Sequence, residues 1–513
     1  MNILPEWNKP GSFSAGRDPL GLQAASVRLY TKLVPGLTNV TNRLRYYSFY
    51  CWVIREYEKI HHSTDQTKWR VFIRRAEAIY ALSSVISDNS NAGGMAGSDW
   101  ARKHLDIKGD EAFDFKPWTD APGKDGQYLK AVRGNFGQFY ISSMIDIGML
   151  VSQKLAIPIV TENFGAKLAK SFENACPDGC RLIAEAIDEG TTSYEKCLKI
   201  GQQAHPSLLI ENSDEHSLLL DFFLGKRNDD ATSTTRQSTL WNVLNAVNFG
   251  VGRDTQSIRK VLYTHNLGSD HETRFSSANI RLWQAYQANE FAHVALELLL
   301  NDCLHEVAMH TVGLPPATII NHVIERAFKD KNLKGLSLEG LAQRDVFKKL
   351  SDDVSMADGI VVALGKPNVR PSQKEVYGAI LLLLTLWLRW RKDEQVLTAL
   401  DPQTNYQRTV VAINNLFEKK SDILAKDAIG QVMRHFIISN HLIIAGQKLA
   451  TSGTFTYRFI VEDGLLEDTR LTEYTYTNPR LGNLLWFAED AGLIKNDGLT
   501  NAGKEFLNAF QPI

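Results

Sequence analysis

His305-Glu306-Val-Ala-Met-His310 places two imidazoles around a carboxylate, the residue types that hold zinc and activate water. The spacing works against a shared helical face. Five positions turn a helix by about 500°, roughly 140° beyond a full turn, so His305 and His310 diverge. Cys176-Pro-Asp-Gly-Cys180 sets two thiols around a turn, with Cys197 and His205 at loose distances behind them. A closed zinc site needs four ligands, and this spacing reads more simply as two thiols at a helix start. Glu58/His61 and Glu290/His293 have the Glu-x-x-His spacing of carboxylate-bridged iron pairs. With 13 histidines in the chain, chance supplies about one such pair. The expectation is therefore no metal and no cofactor.

Two Arg-x5-His pairs, Arg55/His61 and Arg259/His265, resemble the ribonuclease motif of HEPN domains. Roughly two such matches arise by accident in a chain of this composition, so catalysis is not expected to depend on them. Gly93-Gly94-Met-Ala-Gly97-Ser98 offers backbone amides to a phosphate, but it lacks the Gly-Lys-Ser/Thr of a P-loop and follows a helix rather than a strand. No Gly-x-Ser-x-Gly elbow is present.

Binding chemistry is better marked. Residues 1–80 carry twelve Lys/Arg against six Asp/Glu, in a chain whose net charge is −1. Aromatics are interleaved with the cations in Arg43-Leu-Arg45-Tyr-Tyr-Ser-Phe-Tyr-Cys-Trp-Val-Ile-Arg55. Arg43, Arg45 and Arg55 are candidate phosphate contacts, and the aromatics are candidate stacking partners. The alternative is an amphipathic core helix whose arginines pair with acids elsewhere.

The elements that would position these groups contain a repeated pattern. Ile147-Gly-Met-Leu150, a spacer, and Thr161 followed by Gly165 lead into an amphipathic stretch ending at Phe172. Ala491-Gly-Leu-Ile494, a shorter spacer, and Thr500 followed by Gly503 lead into another ending at Phe510. Both copies resemble the end of a winged helix-turn-helix, where a packed helix passes through a small β-wing into another helix. That resemblance implies binding to DNA or to protein. Lys124 to Phe172 holds six cations and three acids, whereas residues 425–513 hold eight against ten. Cationic side chains displace the counterions condensed on DNA phosphates, so the first copy is the expected DNA module. Its candidate recognition helix is 135–147, with Lys130, Arg133, Asn135 and Gln138 as nucleic-acid contacts. In the second copy Thr477 or Asn478 is expected to cap a helix with Pro479 in its first turn. Arg480, Trp486 and Phe487 are its candidate partner contacts.

The remaining pattern is mostly helical, with stretches at 69–86, 278–311 and 374–392, and one strand signal at Thr454–Val461. The apolar run Val376–Leu388 is shorter than the ~20 residues that span a bilayer. The start has neither the basic nor the apolar region of a signal peptide, and five cysteines in 513 residues fit a reducing compartment. The expected architecture is mainly α: a multidomain helical body with one or two winged-helix-like α+β modules. The expected domains are a basic, aromatic-rich 1–110, a candidate winged helix 111–175, a helical core 176–400 and a C-terminal winged-helix-like 401–513. The expected function is a non-catalytic, cytoplasmic, DNA-associated subunit with protein partners or self-association and no membrane contact. Proteins of this build accompany DNA-maintenance or phage-defence machines, an analogy of architecture alone. The rival readings are a HEPN-like or divergent nuclease and a protein scaffold without nucleic acid.

Overall fold

The computed structural model describes residues 17–38, 40, 42–88, 90, 95–104, 112–121, 128, 131–151, 157–227, 232–264, 277–344, 349–400, 409–467, 469–474, 477 and 479–510. The fold is mainly helical, with a few short strands. Among the described residues no helix is long and apolar enough to cross a membrane. The chain forms two compact units, each built from separated segments. Unit 1 comprises Met1–Tyr30, Arg259–Thr273 and Ile280–Thr477; unit 2 comprises Thr31–Ile258, Arg274–Asn279 and Asn478–Ile513.

Unit 1 is organised on the helix Ser277–Ala308 from Ile280 onward. Its apolar residues Leu296, Leu299 and Leu300 are fully buried, and so is a polar row: Asn289, Glu290, His293, Glu297 and Asp302. Buried polar groups are costly unless paired, and this row is paired to the chain around it. Asn289 donates to the Leu22 carbonyl at 3.0 Å and accepts from the Val410 amide at 3.1 Å. Glu297 binds Arg458 at 3.0 Å, and Arg370 bonds Asp302 at 3.0 Å. The helix Gln373–Trp390 starts at Ser372, whose hydroxyl and Glu375 form a reciprocal capping box. The strand expected at Thr454–Val461 is displaced toward the C-terminus. Ile460–Glu462 pairs antiparallel with Leu465–Glu467 around Gly464, because the turn with positive φ sets the register.

Unit 2 is built around the helix Arg45–His61, eleven of whose residues are buried. Its aromatics form the core rather than a stacking platform at the surface. Phe49 lies parallel to Tyr80 at 3.9 Å, and Tyr46 meets Tyr80 edge-on at 5.4 Å. Gly165–Ala175 packs on this helix, and Tyr194–Ala204 packs on Gln66–Ser87. Asp65 caps Gln66–Ser87 by accepting from the Thr67 amide at 2.8 Å.

The helix of the C-terminal repeat begins later than its sequence implied. It spans Leu481–Asp490 and follows Arg480 in the left-handed region, with no side-chain cap. Thr477 therefore does not cap it, Pro479 precedes it, and Asn478 lies outside the described residues. The candidate recognition helix consists of a π-helical turn, Phe136–Tyr140, continuing into Ile141–Asp146.

Candidate functional site

The two sequence repeats fall in unit 2 and share one hydrogen-bonded frame. Each begins with a helix that stops at a glycine with φ +71°, Gly148 or Gly492. The amide after that glycine reaches back five residues, Met149 to the Met144 carbonyl at 2.9 Å and Leu493 to Ala488 at 2.8 Å. The glycine amide reaches back three, to Ile145 at 3.0 Å and to Glu489 at 2.9 Å, completing the same C-terminal cap in both copies. A small antiparallel closure follows, the bridge Leu150↔Val160 in one and Ile494↔Leu499 in the other. The threonine then ties the loop shut. Thr161 donates to the Gly148 carbonyl at 2.8 Å, and Thr500 donates to Gly492 at 2.6 Å. The same hydroxyls accept from the Gly165 and Gly503 amides, each at 3.1 Å. Glycine is required there because an added Cβ would lie 2.3 Å from the Met149 carbonyl oxygen or 2.2 Å from that of Leu493.

The surroundings of the two frames differ in charge. Around the first, Arg133 and Gln138 are exposed, and Lys167 and Lys170 project from the solvent face of Gly165–Ala175. Among the described residues, none of these three cations has an ion-pair partner. Lys167 and Lys170 were missed as site residues, although their i, i+3 spacing opposite Leu168, Ala169 and Phe172 marks a solvated face. Around the second frame, Trp486 is 37% exposed and has two guanidinium groups over its ring. Arg43 is 5.3 Å from its ring centre and Arg253 is 4.9 Å away. Both arginines are neutralised in place, Arg43 by Asp490 at 2.7 Å and Arg253 by Glu489 at 2.9 Å. Arg253 had no sequence signal, because its role depends on a helix more than 200 residues away in the chain.

Several candidate residues turn out to be interior. Arg45 is 1% exposed; it pairs with Glu215 at 3.2 Å and donates to the Gln203 and His205 carbonyls. Its donors are committed inside the fold, which removes it from a phosphate interface. Asn135 is likewise buried, with its amide on Glu77 at 2.9 Å and its side chain on the Tyr50 hydroxyl at 3.3 Å. Glu77 also accepts from the Phe136 amide and the Tyr50 hydroxyl, and burial pushes its carboxyl up to about 7 against those donors. Phe487 is core, edge-on to Tyr47 and Phe223. Arg480 is half-buried and donates to the Leu37 carbonyl. Arg55 is exposed and has no ion pair among the described residues. Lys130, His265 and Gly93-Gly94 lie outside the described residues.

The metal-like spacings resolve in different ways. Cys176 and Cys180 bracket the start of Pro177–Glu189 as buried free thiols, with sulfurs 3.8 Å apart. Arg55 and His61 share the helix Arg45–His61 and leave it about 240° apart around its axis. His293 binds Glu297 at 3.3 Å inside unit 1. His305, half of the rejected zinc pair, bonds the Pro367 carbonyl at 3.0 Å. Glu306, His310 and His322 do converge, their ligand atoms all within 4.8 Å of one another. No protein-family model, no curated protein and no solved structure matches the chain.

Proposed function

We propose that the chain is a non-catalytic nucleic-acid-associated subunit built on two winged-helix-like modules in unit 2. The first module contacts duplex DNA and the second contacts a protein partner. The observation that carries this reading is the contrast between two copies of one frame. The first copy presents Arg133, Lys167 and Lys170 to solvent, with no acid partner among the described residues. The second presents Trp486, with its flanking arginines already neutralised by Asp490 and Glu489. Unpaired cations release counterions from a phosphate backbone, whereas paired ones have little to gain there. An exposed tryptophan in a charge-neutral setting suits a protein contact instead.

The test is a gel-shift titration of the full chain on duplex DNA over a range of salt. Affinity is expected to fall steeply with salt, and Arg133→Ala/Lys167→Ala/Lys170→Ala is expected to flatten that dependence. Trp486→Ala should leave DNA binding intact. No shift at low salt, or a triple variant that binds as the wild type does, would overturn the proposal.

A further inference from the structure

We infer that unit 1 carries a site for a divalent transition-metal ion of the zinc class, formed by Glu306, His310 and His322. Glu306 lies in the last turn of Ser277–Ala308, His310 follows that helix, and His322 comes from Pro316–Phe328. The two imidazoles address the same carboxylate oxygen. His322 Nδ1 is 2.7 Å from Glu306 Oε1, and His310 Nε2 is 3.7 Å from it. Only the first of these is a hydrogen bond. A tetrahedral ion with bonds of 2.0–2.2 Å separates its ligand atoms by about 3.3 Å, a value between the two. The ligand atoms lie within 4.8 Å of one another, so exposed imidazoles moving toward each other by up to about 1.5 Å in all would admit the ion, which would take the place of the proton shared by Glu306 and His322.

The other contacts of Glu306 are those of a held ligand. Its second oxygen accepts from Arg370 at 2.5 Å, and the same guanidinium bonds Asp302 Oδ1 at 3.0 Å. Arg326 also binds Asp302, which is fully buried. Glu306 is thereby fixed with one oxygen committed and the other turned toward the imidazoles. Outer-shell bonds of this kind orient metal-binding carboxylates. The carboxylate side chain is 8% exposed, whereas His310 and His322 are 39% and 47% exposed, so an ion can reach the site from solvent. The carbonyl end of a long helix also favours a cation. Imidazole and carboxylate donors suit zinc and cobalt better than magnesium or calcium, and three protein ligands leave one position for water.

His305 turns away from this cluster to the Pro367 carbonyl. Glu306 and His310, four apart in sequence, converge at the end of Ser277–Ala308, and His322 completes the set from another helix.

The experiment is calorimetric titration of the chelator-stripped full chain with Zn²⁺, with Co²⁺ absorption as a second readout. One equivalent is expected to bind, raising the melting temperature, and Co²⁺ should give a visible d–d band of a site with fewer than six ligands. His310→Ala/His322→Ala is expected to weaken Zn²⁺ binding at least tenfold and to abolish both the band and the thermal shift. Both imidazoles are exposed, so the variant should keep the wild-type circular dichroism. Glu306→Gln, which preserves shape, provides an independent loss of affinity. Equal Zn²⁺ binding by wild type and the double-histidine variant, or none by wild type, would overturn the inference.

Discussion

Thr161 and Thr500, 339 positions apart in the sequence, make the same pair of hydrogen bonds. Each hydroxyl donates to the carbonyl of the glycine that ends the preceding helix and accepts from the glycine amide that opens the next. One hydroxyl thus satisfies an orphan group at both ends of the turn. The connecting loop has nine residues between Leu150 and Val160 and four between Ile494 and Leu499. The frame tolerates that difference because its bonds close on the helices and not on the loop.

The frame should be sensitive to its glycines. Gly165→Ala and Gly503→Ala each drive a methyl into a backbone carbonyl that has no rotamer to escape through. Each is expected to cost about 1–3 kcal/mol. Thr500→Val keeps the shape and loses the cap, at about 1 kcal/mol. Chemical denaturation checks both, and an alanine at 503 as stable as wild type would show that the close approach relaxes freely.

Arg45→Ala separates a structural arginine from a DNA contact. It leaves Glu215 buried without its cation, and breaking a buried pair this way costs about 3–5 kcal/mol. Arg133→Ala/Lys167→Ala/Lys170→Ala should change stability by less than about 1 kcal/mol, since exposed surface side chains contribute little. On DNA the order reverses. The triple variant should lower the slope of log affinity against log salt by close to 3, at about 0.9 per lost phosphate contact. Denaturation curves and salt titrations of the same two proteins decide the matter.

The helical character was legible because it rests on local pattern. The stretch expected at 278–311 is the helix Ser277–Ala308, and 374–392 is Gln373–Trp390. The cadence Ala491-Gly-Leu-Ile494 was legible because the positive φ of Gly492 is a local property. The strand at Thr454–Val461 was misplaced because Gly464, rather than β-propensity, sets its register. Charge counting did not reveal which arginines are spent inside. Arg43, Arg45 and Arg55 look alike in sequence, but their acids, Asp490 and Glu215 for the first two, come from distant segments. Glu306, His310 and His322 were hidden for the same reason: only tertiary packing puts His322 beside a helix end.

His441 gives a pH dependence of defined sign. It is fully buried, its Nδ1 faces the Pro19 carbonyl at 3.2 Å, and its Nε2 accepts the Arg458 amide at 2.8 Å. That geometry needs one proton on the ring, so burial holds its pKa down to about 4. An unfolded chain takes up the second proton near 6.5 while the folded one resists. Stability is therefore lost as pH falls from about 6.5 toward 4, by roughly 3 kcal/mol from this group. His441→Gln should be less stable at neutral pH but lose less on acidification. Equal acid sensitivity in the two proteins would assign the loss to other groups.

Trp486→Ala distinguishes a surface anchor from a core residue. The ring is more than one-third exposed and is held by two cation–π contacts, each worth about 0.5–1 kcal/mol at such a site. Its removal should cost the fold no more than about 2 kcal/mol. Phe487→Ala, one position on and fully buried, should cost about 3–5 kcal/mol. Circular dichroism and denaturation establish that ordering. Sedimentation of the folded Trp486→Ala protein, alone and with co-purifying partners, then tests the contact. Loss of association with DNA binding retained supports a protein-facing second repeat, whereas unchanged assembly removes Trp486 from the interface.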